Sequence, residues 1–282
     1  MKGQNITSTK ILCVFYGIGR GLEMSEPSIV NKMLKPLRRI GNYINSVYIL
    51  NEIKKISNPR SGEHGYIPPV KEGVFNKCKI IRKSEEFLLD KELFELSKMY
   101  KDRYMDDFKS NKNLICQLSK LELASKSVDF NNYDKVILCR DDIVFVNETI
   151  NWKNLLIVSD YGPVVSLWHW HGGIGERFVL CSPFAAKLIC ERKNLIKNVL
   201  NEYRTLHAEL LQYYCLKAHK LIPHAFNLKL ARCRINGRIH EEKYRIPIWR
   251  PLETLRIFLA FLRYVKRSSF INKKEKVVGD II

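Results

Sequence analysis

The apolar positions of the N-terminal region predict a strand, a helix and a second strand in succession. Residues 10–16 form a short apolar run that ends in the loop GIGRG at 17–21. Residues 28–40 have apolar side chains at helical spacing, and we expect Pro36 to kink or shorten this helix. The apolar run at 46–50 predicts the second strand. A strand, a glycine-bearing loop, a helix and a strand in this order are typical of a βαβ unit with parallel strands.

The remainder of the chain continues this alternation. Residues 57–73 are rich in Gly, Pro and Ser, have no hydrophobic period and predict a long loop of the kind that often belongs to a site. Ser182 and Pro183 are typical of a helix N-terminus, with serine as the cap and proline at the first helical position. The other predicted elements are strands at 78–82, 135–146 and 155–159 and helices at 84–127, 182–192 and 203–218. The pattern predicts an α/β fold with a mixed, mostly parallel sheet flanked by helices.

The pattern changes at Ile246, which divides a main domain at 1–245 from a basic C-terminal extension at 246–282. From Pro251 onward, apolar side chains recur on one side of a predicted amphipathic helix, and Lys and Arg flank them. Such a helix is typical of proteins that rest on anionic lipid. A terminal helix that docks on the core while its basic side chains extend to solvent would have the same pattern. The sequence is compatible with both interpretations.

The composition is that of a folded protein in a reducing compartment. Apolar residues make up 46% and charged residues 27% of the 282 residues, which is ordinary for a globular chain. The eight cysteines form no CxxC pair, so neither a metal cluster nor a disulfide framework is expected. The apolar run after Lys10 is too short for a signal peptide, and no stretch reaches the roughly 18 apolar residues of a spanning helix. We therefore expect a cytoplasmic protein, either free or peripheral on the inner face of a membrane.

The formal net charge is +19, with 48 Lys and Arg against 29 Asp and Glu. A cationic surface attracts nucleic acid, anionic lipid or phosphorylated substrates. The basic residues form no aromatic-interleaved stripe of the RNA-binding type, and no DNA-binding motif is present. These features disfavour a nucleic-acid-binding or nucleotidyl-transfer protein, which stays the alternative function.

Three charges, Arg140, Asp141 and Asp142, interrupt the apolar run YDKVILCRDDIVFV at 133–146. Charges at the end of a buried strand are costly unless they are paired or hold a ligand. Ligands of open α/β sheets bind at the carboxyl ends of strands. Carboxylates there suit a divalent cation that bridges a diphosphate, and an arginine suits the phosphates themselves. A structural ion pair is the other interpretation of the triplet.

The segments KILCVFYGIGRGLEMSEPSIVNKMLKPL, NPRSGE, YDKVILCRDDIVF and HGGIGERFVLCSP follow one another along the chain. In this order they resemble bacterial and viral glycosyltransferases of the surface-polysaccharide type, with a GT-A-like (Rossmann-like) fold. The resemblance covers roughly residues 10–215 and includes an Arg-x-Asp element, equivalent to a DXD motif, after a central strand. It implies transfer of a sugar from a nucleotide-diphosphate sugar to a hydroxyl of a glycan or lipid-linked acceptor, with Mn²⁺ or Mg²⁺ as cofactor.

The same resemblance implies site roles. It places the nucleotide site at Tyr16, Gly17, Arg20, Arg60, Arg140 and Asp141. Asp142 would be the principal metal ligand, and Glu63 and Arg177 would bind substrate. The alternative for Gly17 and Arg20 is a tight strand–helix turn with a surface arginine. The alternative for Arg60 and Glu63, in NPRSGE, is a loop salt bridge. We expect Asp142→Asn to leave the melting temperature of the free protein unchanged or raised, because it relieves unpaired negative charge in the site without ligand.

Two carboxylates are candidates for the catalytic base, Glu176 and Glu209. Glu176 stands in GGIGERF where the family more usually has Asp, and it could deprotonate an acceptor hydroxyl or bind the sugar. Glu209 lies on a predicted helix and matches an acidic residue that faces the acceptor in the resembling family. A solvated helix face is the alternative for Glu209.

The segment WHWH at 168–171 is a candidate substrate wall. Trp168 and Trp170 could stack on a sugar face, while His169 and His171 would point to one side of an extended segment, as metal ligands do. Such a run is more often half core and half pocket wall. His224 is a lone candidate for a further metal ligand, although a lone histidine is more often structural.

The function predicted from the sequence is therefore nucleotide-sugar-dependent glycosyl transfer. The expected partners are a nucleotide sugar donor and a glycan or lipid-linked acceptor. An anionic membrane surface joins them if the terminal helix lies on lipid, and no nucleic acid is expected. A carbohydrate-binding module without chemistry would explain the tryptophans but not the charged triplet.

Overall fold

The computed structural model describes residues 8–58, 62–240, 242–244 and 251–279. The strands are β1 (Lys10–Gly17), β2 (Tyr43–Glu52), β3 (Lys55–Asn58), β4 (Glu63–Tyr66), β5 (Lys79–Ser84), β6 (Lys135–Arg140), β7 (Ile143–Phe145), β8 (Val164–Ser166), β9 (Phe178–Cys181), β10 (His224–Phe226) and β11 (Leu230–Arg232). The helices are α1 (Leu22–Ile29), α2 (Lys35–Arg39), α3 (Val74–Lys77), α4 (Glu85–Leu88), α5 (Lys91–Lys98), α6 (Lys109–Ser127), α7 (Trp152–Val158), α8 (Pro183–Cys190), α9 (Ile196–Tyr203), α10 (Ala208–Ala218) and α11 (Pro251–Gly279).

The central sheet has the strand order β10-β8-β9-β6-β1-β2-β5. β1 pairs in parallel with β2 and β6, and β2 pairs in parallel with β5, whereas β9 is antiparallel to both of its neighbours. The predicted α/β fold with a mixed, mostly parallel sheet flanked by helices is confirmed. The chain extends from β1 through β2 to β5 and then returns to β6 on the other side of β1. The carboxyl ends of β1 and β6 therefore flank the crevice where open α/β sheets bind ligands.

The sheet is buried on both faces. Residues 11–16 of β1 are all buried, and alternate side chains join two different core clusters. Strand side chains alternate between faces, so a strand covered on both sides has a continuous apolar run. This explains why ILCVFY is apolar throughout.

Five elements differ from the sequence predictions. The predicted strand at 135–146 divides into β6 and β7, which belong to different sheets, and the predicted helix at 84–127 divides into α4, α5 and α6. The predicted strand at 155–159 is wrong, because the Asn151 side chain caps a helix (α7) by accepting a hydrogen bond from the Asn154 N–H (3.1 Å). The predicted loop at 57–73 contains the antiparallel hairpin β3–β4. The first predicted helix begins earlier, at Leu22, and passes through a π-helical turn just before Pro36, which has no N–H to donate.

Helix α11 docks on the edge of the sheet through one face. Ile257, Ala260 and Tyr264 are buried, and the Tyr264 and Phe226 rings lie 5.0 Å apart between centroids. The helix also exposes apolar side chains, namely Leu252, Leu255, Phe258, Leu259, Leu262 and Val265. No helix among the described residues is long and apolar enough to cross a membrane.

We expect acid to weaken the docking of α11 through His224. This side chain is buried on β10, and burial together with Arg263 and Arg267 of α11 lowers its pKa to about 4. A histidine in an unfolded chain has a pKa of about 6.5, so below that pH the unfolded state binds the proton first and the folded state loses stability. The melting temperature should therefore fall as the pH is lowered from about 6.5 to about 4. His224→Gln should reduce this fall, and an unchanged pH dependence in the variant would contradict the assignment.

Candidate active site

The charged triplet lies at the break between β6 and β7. β6 ends at Arg140 and β7 begins at Ile143, so Asp141 and Asp142 form the turn between them. The Asp141 N–H donates to the carbonyl oxygen of Tyr16 (3.1 Å), which joins this turn to the carboxyl end of β1. Both carboxylates are almost fully buried. Buried charges are stable only with partners, so each carboxylate should have its own set.

The Asp142 carboxylate is surrounded by two guanidinium groups. Arg140 donates from Nε to Oδ1 (2.9 Å) and from Nη2 to Oδ2 (2.8 Å). Arg20 donates to Oδ2 from Nη2 (2.7 Å) and from Nε (3.2 Å). Burial would raise the pKa of Asp142, but the Arg140 and Arg20 guanidinium groups hold it well below its ordinary value. Asp142 is therefore paired without any ligand.

The Asp141 carboxylate is held by neutral donors instead. Its Oδ2 accepts hydrogen bonds from the Tyr48 hydroxyl (2.6 Å) and the Gly19 N–H (2.8 Å). Gly17 lies directly against it, and a Cβ at that position would be 1.8 Å from Oδ1. Burial and the neighbouring Asp142 raise the pKa of Asp141. The glycine loop after β1 thus cradles a carboxylate of the chain itself.

A third buried carboxylate, Glu63, lies behind Arg20. Its Oε2 accepts hydrogen bonds from Nη1 of Arg20 (3.0 Å) and from Nη1 of Arg234 (2.7 Å). Glu63 comes from β4 and Arg234 follows β11, so two distant parts of the chain meet at Arg20. Through these contacts Glu63 orients Arg20 and Arg234.

Glu176 approaches the same cluster from the segment before β9. It accepts a hydrogen bond from Gln117 Nε2 (2.5 Å) and one from Arg140 Nη1 (3.4 Å), and Arg192 Nη2 lies 3.6 Å away. Both carboxylate oxygens of Glu176 thus already accept hydrogen bonds from side chains of the protein, Oε2 from Gln117 and Oε1 from Arg140. The contacts of Glu176 therefore suit the orientation of Arg140 better than proton abstraction.

Glu209 stands in the first turn of α10. Its Oε2 lies 3.2 Å from His207 Nδ1. Burial would raise the pKa of Glu209, but the hydrogen bond with His207 lowers it to about 2. The Ile174 N–H donates to the Glu209 carbonyl oxygen (2.9 Å), and a Cβ on Gly173 would lie 1.9 Å from the same oxygen. The glycines of GGIGERF thus allow the close approach that fixes the start of α10.

A lysine that the sequence analysis did not identify completes the group. Lys120, on α6, is almost fully buried, and its Nζ donates to the carbonyl oxygen of Gly17 (3.0 Å). Burial lowers the pKa of Lys120 to about 8, against the attraction of Asp141. The signal in the sequence is a lysine spaced four residues from Cys116 and from Ala124, on the buried stripe of a helix.

These side chains line a cavity of about 780 Å³ at the carboxyl ends of β1 and β6, which we call the strand-end cavity. Among the described residues, ten Lys or Arg and six Asp or Glu side chains form its wall. The members discussed above are Tyr16, Gly17, Arg20, Gln117, Lys120, Arg140, Asp141, Asp142, Glu176, His207, Glu209 and Arg234. The wall has a surplus of cations, which suits an anionic ligand.

The remaining candidate residues for substrate and nucleotide binding have partners outside the charged triplet or lie outside the described residues. Arg177 lines the strand-end cavity and pairs with Glu242 (2.9 Å). Trp170 is buried and donates from Nε1 to the Ser166 carbonyl oxygen (2.8 Å), while Trp168 donates from Nε1 to Asn227 (3.0 Å). Neither tryptophan is among the described residues that line the strand-end cavity. The predicted nucleotide contact Arg60 lies outside the described residues.

The histidines considered as metal ligands have different surroundings. His169 lies 3.6 Å from Glu242, and burial together with Arg177 lowers its pKa to about 4. His171 lines the strand-end cavity, whereas His224 is buried on β10. Among the described residues, no three His, Cys, Asp or Glu side chains are grouped as metal ligands.

The donor set at Asp142 does not fit the predicted role of a principal Mn²⁺ or Mg²⁺ ligand. A divalent cation is bound through carboxylate lone pairs, and the Asp142 oxygens accept four N–H bonds from Arg20 and Arg140. A divalent cation would have to displace a guanidinium group from Asp142. It would then lie next to that positive charge, which repels it. We therefore derive no catalytic step through a metal.

Comparison of the fold finds similar solved structures at low sequence identity. Mouse xyloside xylosyltransferase 1, in its apo form, is 12% identical with a TM-score of 0.40, over 78% of this chain and 85% of that chain. The galactosyltransferase LgtC, in complex with donor and acceptor sugar analogues, is 12% identical with a TM-score of 0.41, over 74% and 70%. Core-mannan synthase A from Aspergillus fumigatus, in its Mn/GDP form, is 10% identical with a TM-score of 0.45, over 79% and 74%. Similarity at this level concerns the course of the chain and not the chemistry of the site.

No protein-family model matches the sequence, and no curated protein is significantly similar to it in sequence.

Proposed function

We propose that this chain is a nucleotide-sugar-dependent glycosyltransferase. It would move a sugar from a nucleotide-diphosphate sugar to a hydroxyl of a glycan or lipid-linked acceptor, in the synthesis of a surface polysaccharide. The observation that carries the proposal is the strand-end cavity, which combines a cationic wall with a partly exposed carboxylate on a separate helix. The cations suit the diphosphate of a donor, and the carboxylate suits the hydroxyl of an acceptor.

The donor diphosphate would lie near Arg20, Lys120 and Arg140, at the carboxyl ends of β1 and β6. The acceptor hydroxyl would donate a hydrogen bond to Glu209, which is ionised because its pKa is about 2. In the reaction the hydroxyl oxygen bonds to the anomeric carbon, while the bond from that carbon to the diphosphate breaks. The electron pair of the broken bond stays on the diphosphate, and the hydroxyl proton passes to the carboxylate. Holding both partners in one cavity supplies the proximity part of catalysis.

A donor panel tests the proposal. The purified chain is incubated with UDP-, GDP- and dTDP-linked sugars and simple glycoside acceptors, and the released nucleotide is measured by chromatography. We expect one class of donor to release its nucleotide faster with acceptor than without, together with a glycoside product. A parallel incubation contains nucleoside triphosphates. Release of pyrophosphate there, with no nucleotide released from any sugar donor, would indicate nucleotidyl transfer and refute the proposal.

We further propose that the exposed apolar face of α11 attaches the protein to anionic lipid. Arg256, Arg263, Lys266 and Arg267 accompany this face, and basic amphipathic helices bind such surfaces. Deleting the helix is not a clean test, because its other face is part of the core.

Substitutions on the exposed face of α11 make a cleaner test. The triple variant Leu255→Ser, Phe258→Ser, Leu262→Ser removes only exposed apolar groups. It should lower co-sedimentation with phosphatidylserine vesicles at least several-fold while the melting temperature changes little. Vesicle binding equal to that of the wild type would contradict the attachment.

A further inference from the structure

The arginines at the strand-end cavity are oriented by carboxylates that lie around them. Arg20 bridges Asp142 and Glu63, and Arg140 bridges Asp142 and Glu176. All three carboxylates have side chains no more than 4% exposed, whereas Arg20 is 11% and Arg140 is 21% exposed. The acidic groups are therefore the inner layer, and the guanidinium groups are the layer that a ligand in the cavity can reach.

Lys120 supplies a second, independent indication of an anion. An ammonium group has three N–H donors, and the hydrogen bond given by Lys120 within the described residues goes to a neutral carbonyl oxygen, that of Gly17. The side chain is almost fully buried and lines the strand-end cavity. A buried ammonium without a hydrogen-bonded carboxylate is costly, and an anionic ligand in the cavity would remove that cost.

The charge balance of the strand-end cavity also indicates an anionic ligand. Two further carboxylates, Glu63 and Glu242, pair with arginines behind the wall. Even when they are counted with the six acidic side chains of the wall, the ten cationic side chains are in excess among the described residues. The phosphates of a nucleotide sugar each carry a negative charge, so its diphosphate has the sign that this surplus requires.

We propose that Arg20, Lys120 and Arg140 take the place of a divalent cation and bind the donor diphosphate directly, so that transfer needs no metal. This inference rests on the proposed function and specifies how its donor site works. Asp142, Glu63 and Glu176 are positioning residues that hold the two guanidinium groups. As the bond between the anomeric carbon and the diphosphate breaks, negative charge develops on the departing oxygen. Fixed N–H donors aimed at that charge stabilise the transition state.

Chelation provides the test on the unmodified chain. Binding of UDP and GDP is measured by calorimetry after exhaustive treatment with EDTA, and again with added Mn²⁺ or Mg²⁺. Transfer from the active donor is measured under the same conditions. We expect the dissociation constant of the preferred nucleotide and the transfer rate to change by less than about threefold between these conditions.

A lysine variant identifies the groups involved. Lys120→Met keeps the length of the side chain and removes its charge, and it should weaken binding of the nucleoside diphosphate in EDTA by about 10- to 100-fold. Binding of the parent nucleoside, which has no phosphate, should be unchanged. The matched control is Lys126→Met on the same helix, where the lysine is 66% exposed and pairs with Glu122; nucleotide affinity should not change there.

The possible results separate this inference from the proposed function. Loss of nucleotide binding and transfer in EDTA, restored by Mn²⁺ or Mg²⁺, would overturn the metal-free site and leave the glycosyltransferase assignment intact. Equal loss of nucleoside and nucleoside diphosphate binding in Lys120→Met would overturn the role of the lysine in phosphate binding. Absence of both nucleotide binding and transfer under every condition would refute the proposed function itself.

Discussion

Asp142→Asn should unfold at a markedly lower denaturant concentration than the wild type. The substitution leaves Arg20 and Arg140 buried around a neutral amide whose NH₂ group faces their N–H donors. Removing one partner of a buried ion pair costs about 3–5 kcal/mol. Arg20 keeps Glu63 and Arg140 keeps Glu176 as counterions, so we expect a loss near the lower end of that range. The free energy of unfolding from urea titration measures this loss. The control Glu95→Gln breaks only the exposed pair with Lys98 and should change stability by less than about 1 kcal/mol.

A double variant separates ion pairing from general damage to the core. Arg20→Met should cost less stability in the Asp142→Asn background than in the wild type, because the pair between Arg20 and Asp142 is already absent there, while the pair with Glu63 is lost in both. Nucleotide affinity of Asp142→Asn, measured where the variant is fully folded, should also fall, and nucleoside affinity should not. Wild-type stability together with wild-type nucleotide affinity would contradict the ion-pair account.

Glu209→Gln should lower kcat for transfer by about 10²- to 10⁴-fold, the range ascribed to a positioned proton acceptor. The amide keeps the size of the side chain but cannot take the proton of the acceptor hydroxyl. Donor binding should be preserved, because within the described residues the Glu209 carboxylate pairs with His207 and not with Arg20, Lys120 or Arg140. Initial rates over a range of acceptor concentrations, together with calorimetry of nucleotide binding, measure the two effects.

The control for this variant is Glu202→Gln on α9, whose carboxylate is 46% exposed; kcat should be unchanged. Glu176→Gln provides the contrast, since Glu176 contacts Arg140. It should weaken nucleotide binding more than it lowers kcat. If Glu209→Gln retained full kcat while Glu176→Gln lost it with normal nucleotide affinity, the two carboxylates would have to exchange roles.

The sequence predicted the architecture of the sheet because long apolar runs and glycine loops are local features. ILCVFY predicted β1. YDKVILC predicted β6, which ends at the charged triplet. The error at 155–159 has a physical cause. A five-residue apolar run fits a strand and a buried helix equally well, and the cap at Asn151 decides between them.

The contacts of the site could be predicted only in part. Proximity of the glycine loop to Asp141 follows from parallel pairing of β1 with β6, which the order of elements indicates. The partners of Asp142 do not follow from the order of elements, because Arg20 lies 122 positions away and its rotamer depends on Glu63. Neutralising an unpaired Asp142 would stabilise the folded protein, whereas neutralising the paired Asp142 of the structure destabilises the folded protein. The direction of the expected effect therefore reverses once the partners are known.

Lys120 was missed for a related reason. A lysine on a long basic helix is ordinarily a solvated residue, and only the packing of α6 across β1 and β2 brings this one beneath Gly17. For Trp168 and Trp170 the sequence shows the residue types but not their partners. Tryptophans beside histidines suggest a sugar wall, and in the structure their N–H groups donate to Asn227 and to the Ser166 carbonyl oxygen.

The position of a bound nucleotide tests the central claim most directly. The measurement is a crystal structure of the chain with the nucleoside diphosphate that most raises its melting temperature. The account predicts phosphate oxygens in the strand-end cavity, within hydrogen-bond distance of Lys120 Nζ and of a guanidinium group of Arg20 or Arg140. A nucleotide bound elsewhere, or bound in the cavity with its phosphates directed away from these three side chains, would contradict it.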